Sequence, residues 1–194
     1  MSMATRLHLT ILLLCLLVPH DLLAQHLRIS KPQYTSIYSV ALQCPIQVEW
    51  TVCAADIGQA SRNPSWQFAN DILHPMATAS HEDFRGTGYH RGHLCPAADR
   101  SATIEDMRQT FAMSNVAPQF PGLNMGAWKR TEDAVRRFTL MGDTIAVVVI
   151  PVFLNRDTLR IGSHHLAVPH AFFKAAWLAS NDSIIGSWFF FNHK

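Results

Sequence analysis

"GTGYHRGHLCPAADR", residues 86–100, packs an arginine and two histidines around a single glycine. Gly86 and Gly88 are turn-prone and Pro96 closes the other side, so "GYHRGHLCP" reads as extended chain. Side chains alternate along a strand. Arg91, His93 and Cys95 therefore share one face, while His90 and Leu94 share the other. His90 and His93 could bind one ion together only across a bulge, which Gly92 permits, so His-x-x-His-x-Cys is a weak zinc pattern. Arg91 and His93 make a different pair. A planar guanidinium grips phosphate oxygens, and an imidazole takes a proton near neutral pH. Gly92 between them leaves room for a substrate backbone. A lone strand histidine is more often structural, so the meaning of this pair depends on what else reaches the same place.

Downstream, "NMGAWKRTEDAVRRF" (residues 124–138) is the clearest helix of the chain, with Asn124 suited to sit at or near its cap. At about 100° per residue, Asn124, Trp128, Glu132 and Val135 fall within one sector, extended by Ala127, Thr131, Ala134 and Phe138 as a packing face. Lys129, Arg130, Arg136 and Arg137 lie opposite and read as a solvated face. Asn124 and Glu132 are then two polar groups on a packing sector, either a cap and a boundary glutamate or part of a site.

Strands fill most of the remainder. "YSVALQCPIQVEWTV" (38–52) reads as strand, turn at Cys44–Pro45, strand, and "TIAVVVIPVFL" (144–154) as a strand buried on both faces. "LRIGSHHLAVP" and "SIIGSWFFF" supply further strands, while "HAFFKAAWLAS" (170–180) fits helix or strand. Strands outnumber helices without regular alternation, which predicts an α+β fold with a largely antiparallel sheet and flanking helices.

The N-terminus reads as an export signal. Arg6 precedes "LTILLLCLLV" (9–18), the length of a secretory h-region and short for a membrane span. Leu22 and Ala24 supply a cleavage site, predicting a signal peptide over 1–24 and one domain over 25–194, with no membrane attachment after cleavage; a retained anchor is the alternative. Leu14 before Cys15 lacks the small side chain of a lipobox. The sequence carries 16 basic and 14 acidic residues, a balance that permits an anionic partner without arguing for one. In an oxidising compartment Cys44 and Cys53 could pair, leaving Cys95 over.

"HRGHLCPAAD" followed by "FAMSNVAPQFPGLNMGAWKRTED" resembles the DNA/RNA non-specific endonucleases of the ββα-metal fold. The motif residues are Arg91, Gly92, His93, Asn115, Pro118, Gln119, Asn124, Trp128 and Glu132, and the likeness runs from about Tyr38 to the end, including "AVPHAFFKAAW". The family's first motif position is aspartate, where this chain has His90; a leucine before the helix glutamate is Thr131 here.

The resemblance implies a secreted or periplasmic, Mg²⁺-dependent endonuclease acting on DNA, RNA or both, with Mn²⁺ able to substitute. His93 is the implied general base and Arg91 the stabiliser of transition-state charge. Asn124 is the implied direct ligand of one metal ion. Glu132, about 12 Å further along a regular helix, would reach the ion through water. Asn115 supports the site, and Arg62 in "SRNPSW" (61–66) matches a phosphate-binding arginine. Strand alternation puts His90 behind the site, as a group that orients its neighbours. Two other readings are a catalytically impaired nucleic-acid-binding module and a zinc hydrolase using His90, His93 and Cys95 or the His164–His165 pair.

Overall fold

The computed structural model describes residues 26–71, 78–154 and 158–193; the signal peptide and cleavage site expected before Gln25 lie outside the described residues. Among the described residues ten strands follow one another: β1 (His26–Ser30), β2 (Thr35–Ser39), β3 (Cys44–Val52), β4 (His90–His93), β5 (Val116–Gln119), β6 (Ile145–Val152), β7 (Arg160–Ile161), β8 (Leu166–Ala167), β9 (Ala171–Leu178) and β10 (Ile184–Phe191). Six of them form one antiparallel sheet in the order β1-β2-β3-β6-β9-β10.

The β-branched run becomes β6, flanked on both sides by partners. Its Val147, Val148 and Val149 are buried, each removing from water a side chain whose full burial stabilises by about 1.5–3 kcal/mol. The ambiguous segment 170–180 is strand. β9 buries Phe172, Lys174 and Ala176 on one face at a two-residue period, which a helix would spread around its circumference.

The β2–β3 turn lies at 40–43, with Gln43 at φ 52°, and Cys44 and Pro45 already belong to β3. This excludes the possible pairing of Cys44 with Cys53. Nine residues of extended strand hold the two cysteines about 30 Å apart, far beyond the reach of an S–S bond. Cys44, Cys53 and Cys95 are free thiols. Burial raises Cys44 and Cys95 well above the ordinary thiol value.

β4 and β5 stand apart as a two-stranded antiparallel ladder, with His90 opposite Gln119 and His93 opposite Val116. The chain then turns into helix. Helix α1 (Ile104–Gln109) lies between the two strands, capped by Thr103, whose side chain accepts from Asp106 N at 3.0 Å. After β5 come α2 (Pro121–Leu123), a π-helical turn (Asn124–Trp128) and α3 (Lys129–Leu140). Phe120 is the cap and Pro121 the first helical residue, where its missing N–H costs nothing. Asn124 is therefore not the cap: its own N–H donates to Phe120 O at 3.0 Å, one turn inside. Asn192, near the C-terminus, fixes the strand-to-helix joint by accepting from Phe120 N at 2.8 Å and donating to Pro118 O at 3.0 Å.

Trp128 is 1% exposed, edge-on to Phe172 and Phe190, and binds the helix to the sheet. Val135 and Thr139 continue its buried stripe. Phe138 does not; at the margin of that stripe it is 39% exposed.

Candidate active site

The β4–β5 ladder displays the opening motif on two faces. Gly92 and Gln119 mark the first: a Cβ added to Gly92 would lie 2.2 Å from Gln119 Oε1, so only glycine lets the amide lie there. His90, opposite Gln119, is on this side. Asn124 Nδ2 donates to His90 Nδ1 at 3.2 Å. His90 points away from His93, as strand alternation predicts, and the neighbour it orients is the candidate metal ligand. The π-turn is the reason. Gly126 leaves helical geometry (φ −103°, ψ −108°), so the regular-helix arc from Asn124 to Glu132 does not hold and Asn124 swings toward β4.

His93 lies on the other face, half-buried between aromatic rings. Its ring centroid is 4.8 Å from Phe68 and 4.7 Å, edge-on, from Phe111. Arg62 covers the same Phe111 ring, with Cζ 4.9 Å from its centroid. Burial, and then the Arg62 charge, push the His93 pKa down to about 3. The imidazole is neutral at physiological pH. Nε2 is buried with no hydrogen-bond partner among the described residues, which leaves Nδ1 as the nitrogen facing outward. Trp128 Nε1 donates to the His93 carbonyl at 3.3 Å, tying the strand to the helix.

Arg91 is seated by a 3₁₀ turn, His81–Phe84. Its Nε and Nη2 donate to His81 O at 3.1 and 2.7 Å, and its guanidinium lies 5.3 Å from the Phe84 ring centroid. Burial lowers its pKa from the ordinary value, yet the group remains a cation. Nη1 is uncommitted.

Asn115 is fully buried and holds the segment after His93. Its Oδ1 accepts from Cys95 N at 2.8 Å, and its Nδ2 donates to Cys95 O at 2.8 Å and Thr110 O at 3.0 Å.

Glu132 has no hydrogen bond to Asn124 or His93. Its charged neighbours are Lys174, Asp99, Arg136 and Asp133, and burial raises its carboxyl against the pull of Lys174. Lys174, on β9, is 1% exposed with Nζ 3.6 Å from the Trp128 ring centroid; burial lowers it against Glu132 and Asp99. Arg136 is not on a solvated face. Its Nη1 pairs with buried Asp99 at 2.8 Å, and Trp50 Nε1 donates to the same carboxylate at 3.1 Å. Asp99 and Lys174 are given no role by the sequence patterns; Asp99, in "CPAAD" eight residues after Arg91, is the nearer of the two to the motif.

Among the described residues no three His, Cys, Asp or Glu side chains are placed to share a metal ion. Cys95 is fully buried, with Sγ near Gln33 O, and His164 is engaged with Asp83, so neither zinc constellation is assembled. An ion that keeps most of its water needs less. Asn124 Oδ1 is a hard oxygen donor with no hydrogen-bond partner among the described residues, the kind of donor Mg²⁺ accepts.

A strand pair followed by a helix that carries the candidate donor is the arrangement the motif implied. Residues 21–190 match the family described as DNA/RNA non-specific endonuclease. The chain belongs to that family. Bovine mitochondrial endonuclease G is 36% identical over 126 residues, covering 60% of this chain and 42% of its own length. A nuclease of Nostoc sp. is 31% identical over 121 residues, covering 62% and 44%. Among solved structures, the EndoG/EndoGI complex contains a chain matching with TM-score 0.74 and 26% identity, over 86% of this chain and 74% of that one. This chain spans less than half the length of these two curated relatives. The fold is the ββα-metal nuclease fold, of class α+β.

Proposed function

We propose that the chain is an exported, Mg²⁺-dependent endonuclease that hydrolyses phosphodiester bonds of DNA, RNA or both with little regard to sequence. The observation that carries this reading is His93: a neutral imidazole, shielded by Phe68 and Phe111, with one nitrogen buried and the other facing out, on the strand that also presents Arg91.

His93 takes the proton of the attacking water at Nδ1, with its own proton on Nε2. Arg91, held by the His81 carbonyl, offers Nη1 to a phosphate oxygen as charge grows there. Arg62, exposed beside the same aromatic wall, meets the neighbouring phosphate. Asn124 would hold the ion by its amide oxygen. Bound there, Mg²⁺ would polarise the scissile phosphate and neutralise the leaving oxygen, with Mn²⁺ able to replace it. Phosphate contacts dominate this set, so sequence preference is slight.

The test is plasmid cleavage with and without a chelator, by the parent and by His93→Ala. The variant should lose at least about a hundredfold in rate, the range for a missing general base, with its melting temperature little changed. Equal rates would remove His93 from the mechanism. A second reading, a module that binds nucleic acid without cutting it, has one observation in its favour: His90 meets Asn124 without the fixed negative charge of the aspartate usual there.

A further inference from the structure

We infer that the contact between Asp83 and His164 is a clamp that positions Arg91, and this inference rests on the role of Arg91 proposed above. Arg91 owes its orientation to the turn His81–Phe84, which supplies both the carbonyl that accepts from its guanidinium and the ring beneath it. A four-residue 3₁₀ turn makes few hydrogen bonds of its own. What fixes it is Asp83, its third residue, whose side chain is fully buried.

Asp83 is held from two directions. Within its own segment, Oδ2 accepts from Ser80 N at 2.7 Å. From the β7–β8 hairpin, Oδ1 accepts from His164 N at 3.0 Å and from Ser163 Oγ at 3.2 Å, and the His164 ring nitrogen Nδ1 lies 2.9 Å from Oδ2. Gly162, at φ +67°, stands so close that a Cβ would lie 2.2 Å from Asp83 Cβ. The hairpin is itself anchored beside the main sheet: Ala167 N donates to Leu42 O at 2.9 Å, and Arg160 Nη1 donates to Ala41 O at 3.0 Å. A continuous path therefore runs from the sheet through the hairpin and Asp83 to the seat of Arg91. His164 touches no candidate catalytic group, and its side chain is 47% exposed, so it can be altered with little risk to folding.

The experiment compares the parent, His164→Ala, His164→Asn, Arg91→Ala and the double variant Arg91→Ala/His164→Ala on one duplex DNA at saturating Mg²⁺. Asn places an amide nitrogen where His164 has Nδ1. His164→Ala should lower kcat about five- to tenfold with KM within about twofold, as expected when a transition-state contact is loosened. His164→Asn should recover most of that loss, and His164→Ala should cost nothing further once Arg91 is gone. An equal loss in the Arg91→Ala background, no loss in the single variant, or no recovery with Asn overturns the clamp. The NMR signal of Arg91 Nε–H is read alongside and does not depend on cleavage. If His164→Ala shifts and broadens it in a protein that cuts no DNA, the clamp stands and the endonuclease reading fails; an unchanged signal overturns the clamp.

Discussion

Replacing Arg62 with Ala should raise the pKa of His93. Arg62 and His93 flank one ring, with Arg62 Cζ 4.9 Å and the His93 centroid 4.7 Å from the centre of Phe111, so the two groups stand no more than about 10 Å apart. Two unit charges at about 10 Å repel by roughly 0.4 kcal/mol in water and 1.7 kcal/mol at an effective dielectric of about 20. At about 1.4 kcal/mol per pH unit, removing the guanidinium should lift the titration by about 0.3 to 1.2 pH units. Burial is the larger cause of the depression to about 3, and it remains in the variant. The histidine should therefore still titrate below its ordinary value of about 6.5. The sign carries over to activity. The base works only when neutral, so the acid limb of kcat/KM should move to higher pH in Arg62→Ala. Resonances of the His93 ring, followed by NMR from pH 7 downward without metal or nucleic acid, give the value directly. A parent His93 titrating at or above 6.5 would refute the burial argument, and a fall in Arg62→Ala would refute the electrostatic one.

The helix and the strand face opposite His93 give two more expectations. Asn124→Ala should raise the Mg²⁺ concentration needed for half-maximal cleavage by about tenfold or more, as for loss of a direct ligand, whereas Glu132→Ala should raise it less. Metal titrations of activity decide the order, and a larger effect at Glu132 would reverse the assignment. His90→Asp should increase the cleavage rate, because a carboxylate beside the Asn124 amide adds the fixed negative charge that imidazole lacks. A parent that binds DNA without cutting it, joined to an active His90→Asp, would favour the binding-module reading.

What the sequence disclosed and what it withheld follow from the range of each interaction. The run 144–154 names its own place, because only a strand with partners on both sides buries so many β-branched residues. The motif positions Arg91, Gly92, His93 and Asn115 do come together in space, through a short ladder and one buried amide. Asn124 stands where angular arithmetic does not put it, turned toward His90 by the π-turn. Angular arithmetic assumes a regular helix, and the extra residue of a π-turn shifts everything before it. Gly126 was the available signal, a residue with little helix propensity inside an otherwise strong helix.

The charges beneath Trp128 show the opposite limit. Asp99, Glu132, Arg136 and Lys174 come from the turn after β4, from two positions on α3 and from β9. No window of sequence contains them together. Taken singly, each is a surface residue by default, because burying one unpaired charge costs several kcal/mol. Taken together they are two anions and two cations, which removes the objection to burial. The strand "AFFKAAW" contains the hint: Lys174 shares its face with Phe172 and Ala176, both buried, so a lysine there must be facing the core. A lysine on a core face requires an anion near it, and in the fold Glu132 and Asp99 supply it. The same step explains why Glu132 faces the sheet. It answers Lys174, so its service to a metal ion at Asn124 has to pass through the position of α3 or through water, which is why its removal should weaken metal dependence less than removal of Asn124.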